Sequence, residues 1–368
     1  MRPPLAGRRI VVTTDAVGGV WRYALDVAAR LVRRDIRPAL LGMGPEPSAA
    51  QRAEARAAGV DVGWLDDRLD WTAGGIEAAE GLARDLDAHP MVRGADLLHL
   101  NAPALHGAGE GRLPTVVAAH SCLTTWWRGV RGTAPPEDWG WHRRLTARGL
   151  RRATVAVAPS RSFAEDLVAV YGPLPSLRVV QNGAWPVAPL PREDVVLAVG
   201  RWWDPAKNAE TLDAAAALID WTVQAAGPQS SPGGERIPLR HLQLLGTLGP
   251  AAIGERLGRA PIHVSVALYE PFGLSVLEAA SAGAALVLSD IPTFRELWEG
   301  AALFVDPGDP ADVARAVNGL IADRALRRRL GQDAARRASL YTLERQVDGL
   351  TDAYTQALGH GAAQAVRP

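Results

Sequence analysis

Short apolar runs alternate with amphipathic stretches along the whole 368-residue chain, and this alternation limits the possible folds more than any other feature. Residues 9–14, 38–42, 60–65, 96–101, 114–120, 154–158 and 178–181 read as strands, and 20–34, 49–58 and 76–88 read as helices between them. The strand runs are rich in Val, Leu and Ala on both faces, which fits a parallel sheet covered by helices. The pattern restarts at Val195, where 195–200, 221–226, 242–245, 262–266, 285–289 and 303–305 predict a second parallel sheet. Between the two, 181–192 carries Asn182-Gly183 and the prolines Pro186, Pro189 and Pro191, which break both periodicities. The expected architecture is α/β, with two Rossmann-like parallel-sheet domains facing a central cleft. Their expected bounds are 1–185 and 186–344, with a last helix at about 345–368 packing back on the first domain. The Ser-, Pro- and Gly-rich stretch 229–237 reads as a surface loop, because strand-like runs flank it closely.

A chain of this length exceeds a single core at roughly 100–200 residues per domain. Its 40 basic residues against 40 acidic ones leave no net charge to attract polyanions, so nucleic acid is not an expected partner. The single cysteine, Cys122, forms no internal disulfide, and the first residues lack the order of a signal peptide, so the expected location is the cytoplasm. No apolar run reaches the roughly 20 residues of a spanning helix, which leaves at most peripheral membrane contact. Arg143, Arg144, Arg148, Arg151 and Arg152 form either a solvated helix face or a contact for anionic head groups.

The densest chemical signal is the run 270–280, which opens a helix after the strand 262–266. A helix start offers free backbone N–H groups and the positive end of the dipole, so an anion suits that place. Pro271 sets the turn and Gly273 lets a ligand approach the backbone. The carboxylates of Glu270 and Glu278 either accept hydrogen bonds from sugar hydroxyls or serve as an ordinary loop charge and helix salt bridge. A second cluster, 200–208, follows the first strand of the second sheet. There Arg201 supplies a planar fork and Lys207 a point charge, which together can neutralise a diphosphate without a metal. Singly, each is an ordinary surface base.

In these residues the second half resembles the retaining GT-B glycosyltransferases of family 4. The resemblance rests on Gly200-Arg201 with Lys207-Asn208, on Glu270 and Glu278 separated by seven residues, on Ala282-Gly283, Ser289-Asp290 and Phe294-Arg295-Glu296, and on Val305-Asp306-Pro307-Gly308-Asp309. It implies that Arg201 and Lys207 hold the diphosphate and that Glu278 binds the ribose hydroxyls. It further implies that Glu270, with the backbone of Phe272, Gly273 and Leu274, holds the sugar and phosphates, and that the base lies near Gly246 and Leu248. The first half resembles the family through 13–19, ending in Gly18 and Gly19, and through His120 after the run 114–119. The two glycines leave room for a phosphate or a sugar, or simply make a tight turn, and without Gly-x-Gly-x-x-Gly they do not support a dinucleotide site. The resemblance places His120 near the donor sugar and so completes a catalytic set of His120, Arg201, Lys207 and Glu270. On its own His120 reads equally as a core histidine, with His99 and His106 as competitors.

The implied reaction is retaining, front-face transfer of a hexosyl group from a nucleotide diphosphate sugar, by default a UDP-sugar, to a small-molecule or glycan acceptor. The leaving phosphate takes the acceptor proton. No cofactor and no metal are expected: the only Asp-x-Asp pair, Asp85-Leu86-Asp87, sits in a polar helix-like stretch. A sugar-nucleotide epimerase and a non-catalytic sugar-nucleotide binder remain alternatives. Twelve tryptophans against four phenylalanines are unusual, and Trp126, Trp127, Trp139 and Trp141 fall in what reads as one loop-rich stretch. Indole faces stack on sugars, so Trp126, Trp127 and Trp139 form either an acceptor platform or packing beneath a long loop. No motif fixes the donor base, sugar, acceptor, linkage or oligomeric state.

Overall fold

A computed structural model describes residues 5–16, 19–65, 69, 74–231, 234 and 236–365. The chain divides into two compact units, one of Met1–Thr125, Thr133–Gln181 and Leu343–Pro368, the other of Trp126–Gly132 and Asn182–Thr342.

In the first unit the strands are β1 (Arg9–Asp15), β2 (Arg37–Met43), β3 (Asp61–Trp64), β4 (Leu97–Leu100), β5 (Thr115–Ala118), β6 (Val155–Ala158) and β7 (Leu177–Val179). They form a parallel sheet in the order β3-β2-β1-β4-β5-β6-β7. The helices are α1 (Gly19–Val32), α2 (Ala49–Ala57), α3 (Ile76–Ala88), α4 (Pro90–Arg93), α5 (Pro103–Ala108), α6 (Leu123–Arg131), of which only residues 123–125 belong to this unit and the rest to the second, α7 (Gly140–Arg152) and α8 (Arg161–Tyr171). β4, β5 and β6 are buried at every position, as strands covered on both faces must be. Local chemistry sets the helix starts: Ser48 and Gln51 close a capping box on α2, and Ser160 accepts the Phe163 N–H at the start of α8.

The second unit repeats the plan with β8 (Val195–Val199), β9 (Thr222–Ala226), β10 (Gln243–Gly246), β11 (Ile262–Ser265), β12 (Ala285–Ser289) and β13 (Ala302–Val305). Their order is β10-β9-β8-β11-β12-β13, again all parallel. α9 (Ala209–Ala216), α10 (Pro250–Arg259), α11 (Leu274–Ser281), α12 (Pro292–Trp298), α13 (Pro310–Ala322) and α14 (Arg324–Ala338) cover it. The chain then returns to the first unit as α15 (Leu343–Ala365), whose Val347, Leu350, Tyr354 and Ala357 are buried at helical spacing in the core with Ile10, Leu97 and Val116. The His99 ring, on β4, bonds the Tyr354 hydroxyl at 2.6 Å and pins this helix.

One expectation fails here. Trp126, Trp127, Trp139 and Trp141 do not lie in loops: the first two are on α6, Trp139 ends a 3-10 turn (Glu137–Trp139), and Trp141 is on α7. The spacing of Leu123, Trp126, Trp127 and Val130 is helical, and the nearby glycines and prolines obscured it. Among the arginines of 143–152, Arg151 bonds the Tyr171 carbonyl and Arg152 those of Gly109 and Glu110, while Arg143, Arg144 and Arg148 are exposed. Among the described residues no helix is long and apolar enough to cross a membrane.

Four histidines are held far from their usual acidity by burial. His263, on β11, has neither ring nitrogen hydrogen-bonded, and burial pushes it down to about 4. Burial, with His120 nearby, pushes His99 down to about 3. The folded chain therefore binds fewer protons than the unfolded chain as pH falls below the ordinary histidine value of about 6.5, and stability falls with it. We expect the denaturant midpoint to drop between pH 7 and pH 5, and the drop to shrink in His263→Leu. Equal midpoints at both pH values would show that these rings reach water.

Candidate donor site at the β8–β11 switch point

Where β8 pairs with β11, the sheet order reverses, because β9 lies on the other side of β8. Open α/β sheets bind ligands in the crevice beyond the strand ends at such a point. The two loops that leave it carry the residues singled out above. After β8, Asp204 caps a 3-10 turn (Pro205–Lys207) by accepting the Ala206 N–H at 3.0 Å. After β11, the Leu268 N–H donates to the Ala206 carbonyl at 2.9 Å. Lys207 Nζ then meets Glu270 Oε2 at 2.5 Å, with the two side chains 21% and 17% exposed. This partial burial makes the pair stronger than a surface bridge. Asn208 takes a left-handed backbone, φ 55°, and its amide donates to the carbonyls of Val266 at 3.1 Å and Pro307 at 2.7 Å. One short polar side chain thus ties the loops after β8, β11 and β13 together.

Arg201 is exposed. Its guanidinium bonds Asp204 Oδ2 at 3.1 Å and sits 5.6 Å from the Trp203 ring centre. Only the Arg201 end of this pair faces solvent, Asp204 being buried, so the fork is held on one side and open to a ligand on the other. Gly273 precedes α11 with φ 91°, and no side chain caps the helix, which leaves its first N–H groups without an intrahelical acceptor. Glu278 stands one turn above Leu274 on the same helix face and is half-buried, as is Glu270. Phe272 is buried, edge-on to Tyr341 at 5.9 Å. Gly246, exposed with φ 67°, ends β10, and half-buried Leu248 follows it.

The strand ends are closed by glycine backbone. The Gly227 N–H donates to the Gly246 carbonyl at 2.8 Å and the Gly200 N–H to the Ala226 carbonyl at 3.0 Å. A Cβ on Gly227, whose φ is 125°, would lie 1.9 Å from the Gly200 carbonyl oxygen. Gly227 was not singled out from the sequence; its place directly after an apolar strand was the available signal.

In the first unit, Gly18 lies outside the described residues. Gly19 is the first residue of α1, with open space where a Cβ would stand. His120 follows β5, half-buried, its Nε2 2.7 Å from Asn101 Oδ1 and its ring edge-on to Tyr23 at 4.2 Å. Asn101 commits its own amide N–H to the Thr13 carbonyl at 2.6 Å, so its Oδ1 accepts and His120 carries its proton on Nε2. Burial pushes His120 down to about 4, so at neutral pH Nδ1 is an uncharged acceptor. Asn101 went unnoticed in the sequence because it sits at the end of an apolar strand. Of the tryptophans, Trp126 donates its Nε1–H to Asp204 Oδ1 at 3.1 Å and meets Trp127 edge-on at 5.7 Å, both in the second unit. Trp139 belongs to the first unit and stacks on Trp141 at 6.4 Å.

Two family models match: Glycosyltransferase Family 4 over residues 17–184 and Glycosyl transferases group 1 over 234–337. The chain belongs to the GT-B glycosyltransferases of family 4. It is 34% identical over 195 residues to D-inositol 3-phosphate glycosyltransferase of Salinispora arenicola, which covers 46% of this chain and 43% of that one. It is 30% identical over 211 residues to glycogen synthase of Mycobacterium tuberculosis, 51% of this chain and 50% of that one. The matches thus span half or less of these curated relatives' length. Sucrose-phosphate synthase of Thermosynechococcus elongatus superposes with a TM-score of 0.80 at 19% identity, over 96% of this chain and 100% of that one. Anabaena HepE in complex with UDP and glucose gives 0.76 at 17% identity, over 94% and 98%. These structures share the GT-B fold with the family 4 chain. In it, Gly227→Ala should force the 200–201 backbone aside and cost about 1–3 kcal/mol of stability, read as a lower denaturant midpoint. An unchanged midpoint would mean that the three strand ends are not tightly coupled.

Proposed function

We propose that this family 4 chain transfers a hexosyl group, with retention, from a nucleotide diphosphate sugar to a small-molecule or glycan acceptor. A UDP-sugar is the first candidate donor. The observation that carries this is the gathering of Arg201, Lys207 and Glu270 beside an uncapped helix start at a sheet switch point. As the bond from the anomeric carbon to the phosphate oxygen breaks, negative charge grows on the diphosphate. Arg201 answers it with a planar fork, Lys207 with a point charge and α11 with backbone N–H groups. Glu270 holds Lys207 in place and accepts from sugar hydroxyls, and Glu278 accepts from the ribose. Gly246 and Leu248 flank the base, and Gly18 and Gly19 leave room for the donor. The acceptor oxygen bonds to the anomeric carbon on the face the phosphate leaves, and its proton passes to the leaving phosphate. Neutral His120 offers Nδ1 to a donor-sugar hydroxyl. In this reading no metal takes part, and the cytoplasm supplies the donor.

The relatives' names support this reading: three curated relatives are D-inositol 3-phosphate glycosyltransferases, and HepE is described with UDP and glucose. Calorimetric titration with UDP, GDP and ADP, with and without magnesium, tests it. We expect one diphosphate to bind in the micromolar range without metal, and both Arg201→Ala and Lys207→Ala to lose it. Lys207→Ala should also lower turnover by about a hundredfold or more with the fold intact. Absence of binding by all three, or full turnover in folded Lys207→Ala, would remove the basis of the proposal. Conversion of free donor to an isomer would make the protein an epimerase instead, and an intact donor with every acceptor would make it a binder.

We further propose that Trp126, Trp127 and Trp139 contact the acceptor. Trp127→Ala should raise the acceptor KM and leave UDP binding unchanged. Trp126→Ala, which also strips Asp204 of a donor, should weaken both. Unchanged acceptor KM in both variants would rule out their part in such a platform.

A further inference from the structure

Asp204 is only 7% exposed, although it lies beside the exposed guanidinium of Arg201. A carboxylate is seldom buried unless it is paired and hydrogen-bonded. The two oxygens of this one have separate partners. Oδ1 accepts the Ala206 N–H at 3.0 Å and the Trp126 Nε1–H at 3.1 Å, and Oδ2 accepts from Arg201 Nη2 at 3.1 Å.

Capping the 3-10 turn engages Oδ1 alone, and a serine or an asparagine caps as well as an aspartate. The cap therefore accounts for one oxygen and not for the charge. The group that calls for a charge is the guanidinium on Oδ2. It presents five N–H donors in one plane, and the bond to Asp204 engages it through Nη2. Among the described residues its other N–H groups have no hydrogen-bond partner. Arg201 Cζ also stands over the Trp203 ring, 5.6 Å from its centre, within reach of cation–π attraction. A carboxylate thus holds the side chain on one edge and an indole on one face, and the remaining N–H groups stay available for a bidentate contact with phosphate oxygens.

A ligand that must first immobilise an arginine loses part of the affinity the contact would give, and an arginine already held takes less from it. We propose that Asp204 is the positioning residue of the diphosphate clamp: it holds the Arg201 fork in the attitude that meets the diphosphate, and the Trp126 indole in turn holds Asp204. Two hydrogen bonds, from Trp126 and from Arg201 to the same carboxylate, make the clamp depend on a side chain 78 positions before Asp204. This rests on the donor reading above, in which Arg201 meets the diphosphate. A carboxylate that instead competed with phosphate for the fork would give the opposite sign when its charge is removed.

Asp204→Asn in the full chain tests this, with UDP, GDP and ADP titrated calorimetrically and uridine, guanosine and adenosine followed by ligand-detected NMR. Because the Ala206 N–H and the Trp126 Nε1–H both donate to Oδ1, the asparagine oxygen takes that place and its NH2 group faces Arg201, where it has nothing to accept with. The variant keeps the cap and loses the hold on the fork. We expect the diphosphate that binds the unaltered protein to bind about 2–10-fold more weakly, the effect of freeing one long side chain, and the matching nucleoside to bind as before. Equal loss of nucleoside and diphosphate would make Asp204 a structural residue of the turn, and unchanged or tighter diphosphate binding would deny it the positioning role; either overturns the proposal. Should circular dichroism show that Asp204→Asn does not fold, Trp126→Phe decides: it removes the indole N–H and keeps a ring, the same split is expected at smaller size, and unchanged diphosphate binding overturns the proposal. An unaltered protein that binds none of the three diphosphates removes the donor reading and this inference with it. One that binds, loses binding in Arg201→Ala and is indifferent to Asp204→Asn removes this inference alone.

Discussion

Parallel pairing of β8 with β11 is the constraint on which the second unit's chemistry depends. A parallel neighbour cannot be reached by a tight turn, so the chain makes β9 and β10 on one side of β8 before returning on the other. That return leaves a crevice between two loops that diverge from adjacent strand ends. Lys207 and Glu270, 63 positions apart, meet there at 2.5 Å. Had β10 and β11 exchanged places, the same residues would leave strands two positions apart in the sheet, at spacings of roughly 5 Å each, beyond the reach of an ion pair.

The loops around this crevice are anchored in the apolar core by Trp202, Ala267 and Phe272 and tied to one another by polar contacts. Asn208 reaches two carbonyls, Asp204 receives Ala206, Arg201 and Trp126, and Gly227 and Gly200 close the neighbouring strand ends. Each bond is modest, on the order of 1 kcal/mol, but together they fix the backbone from which the cations project. Preorganisation of this kind is what charge development in a transfer reaction requires, since groups already in place need not reorganise as the bond breaks.

Much of this was legible in the chain. The apolar runs coincide with β1–β13 to within one or two residues; the central strands must be apolar throughout because both their faces are buried, and the edge strands β3, β7 and β10 are part-exposed. The helix start at α11 was legible from Pro271 and Gly273, and the cationic residues after β8 from their place at a strand end. What escaped has physical reasons. α6 was hidden because its helical spacing is bounded by glycines and prolines that read as loop. Asn101, Asn208 and Gly227 matter through partners 88, 58 and 27 positions away respectively, and such partners leave no trace in local composition.

The sequence by itself determined the alternation of strand and helix, the parallel character of both sheets and the residue types at the ends of β8 and β11. Only the tertiary structure decided that those two ends are neighbours, that Lys207 takes Glu270 and Trp126 takes Asp204, and that His120, beside Asn101, is pushed by burial down to about 4. The reason is one of range. Periodicity and capping act over a few residues, whereas strand order and the acidity of a buried ring depend on what the folded chain brings alongside.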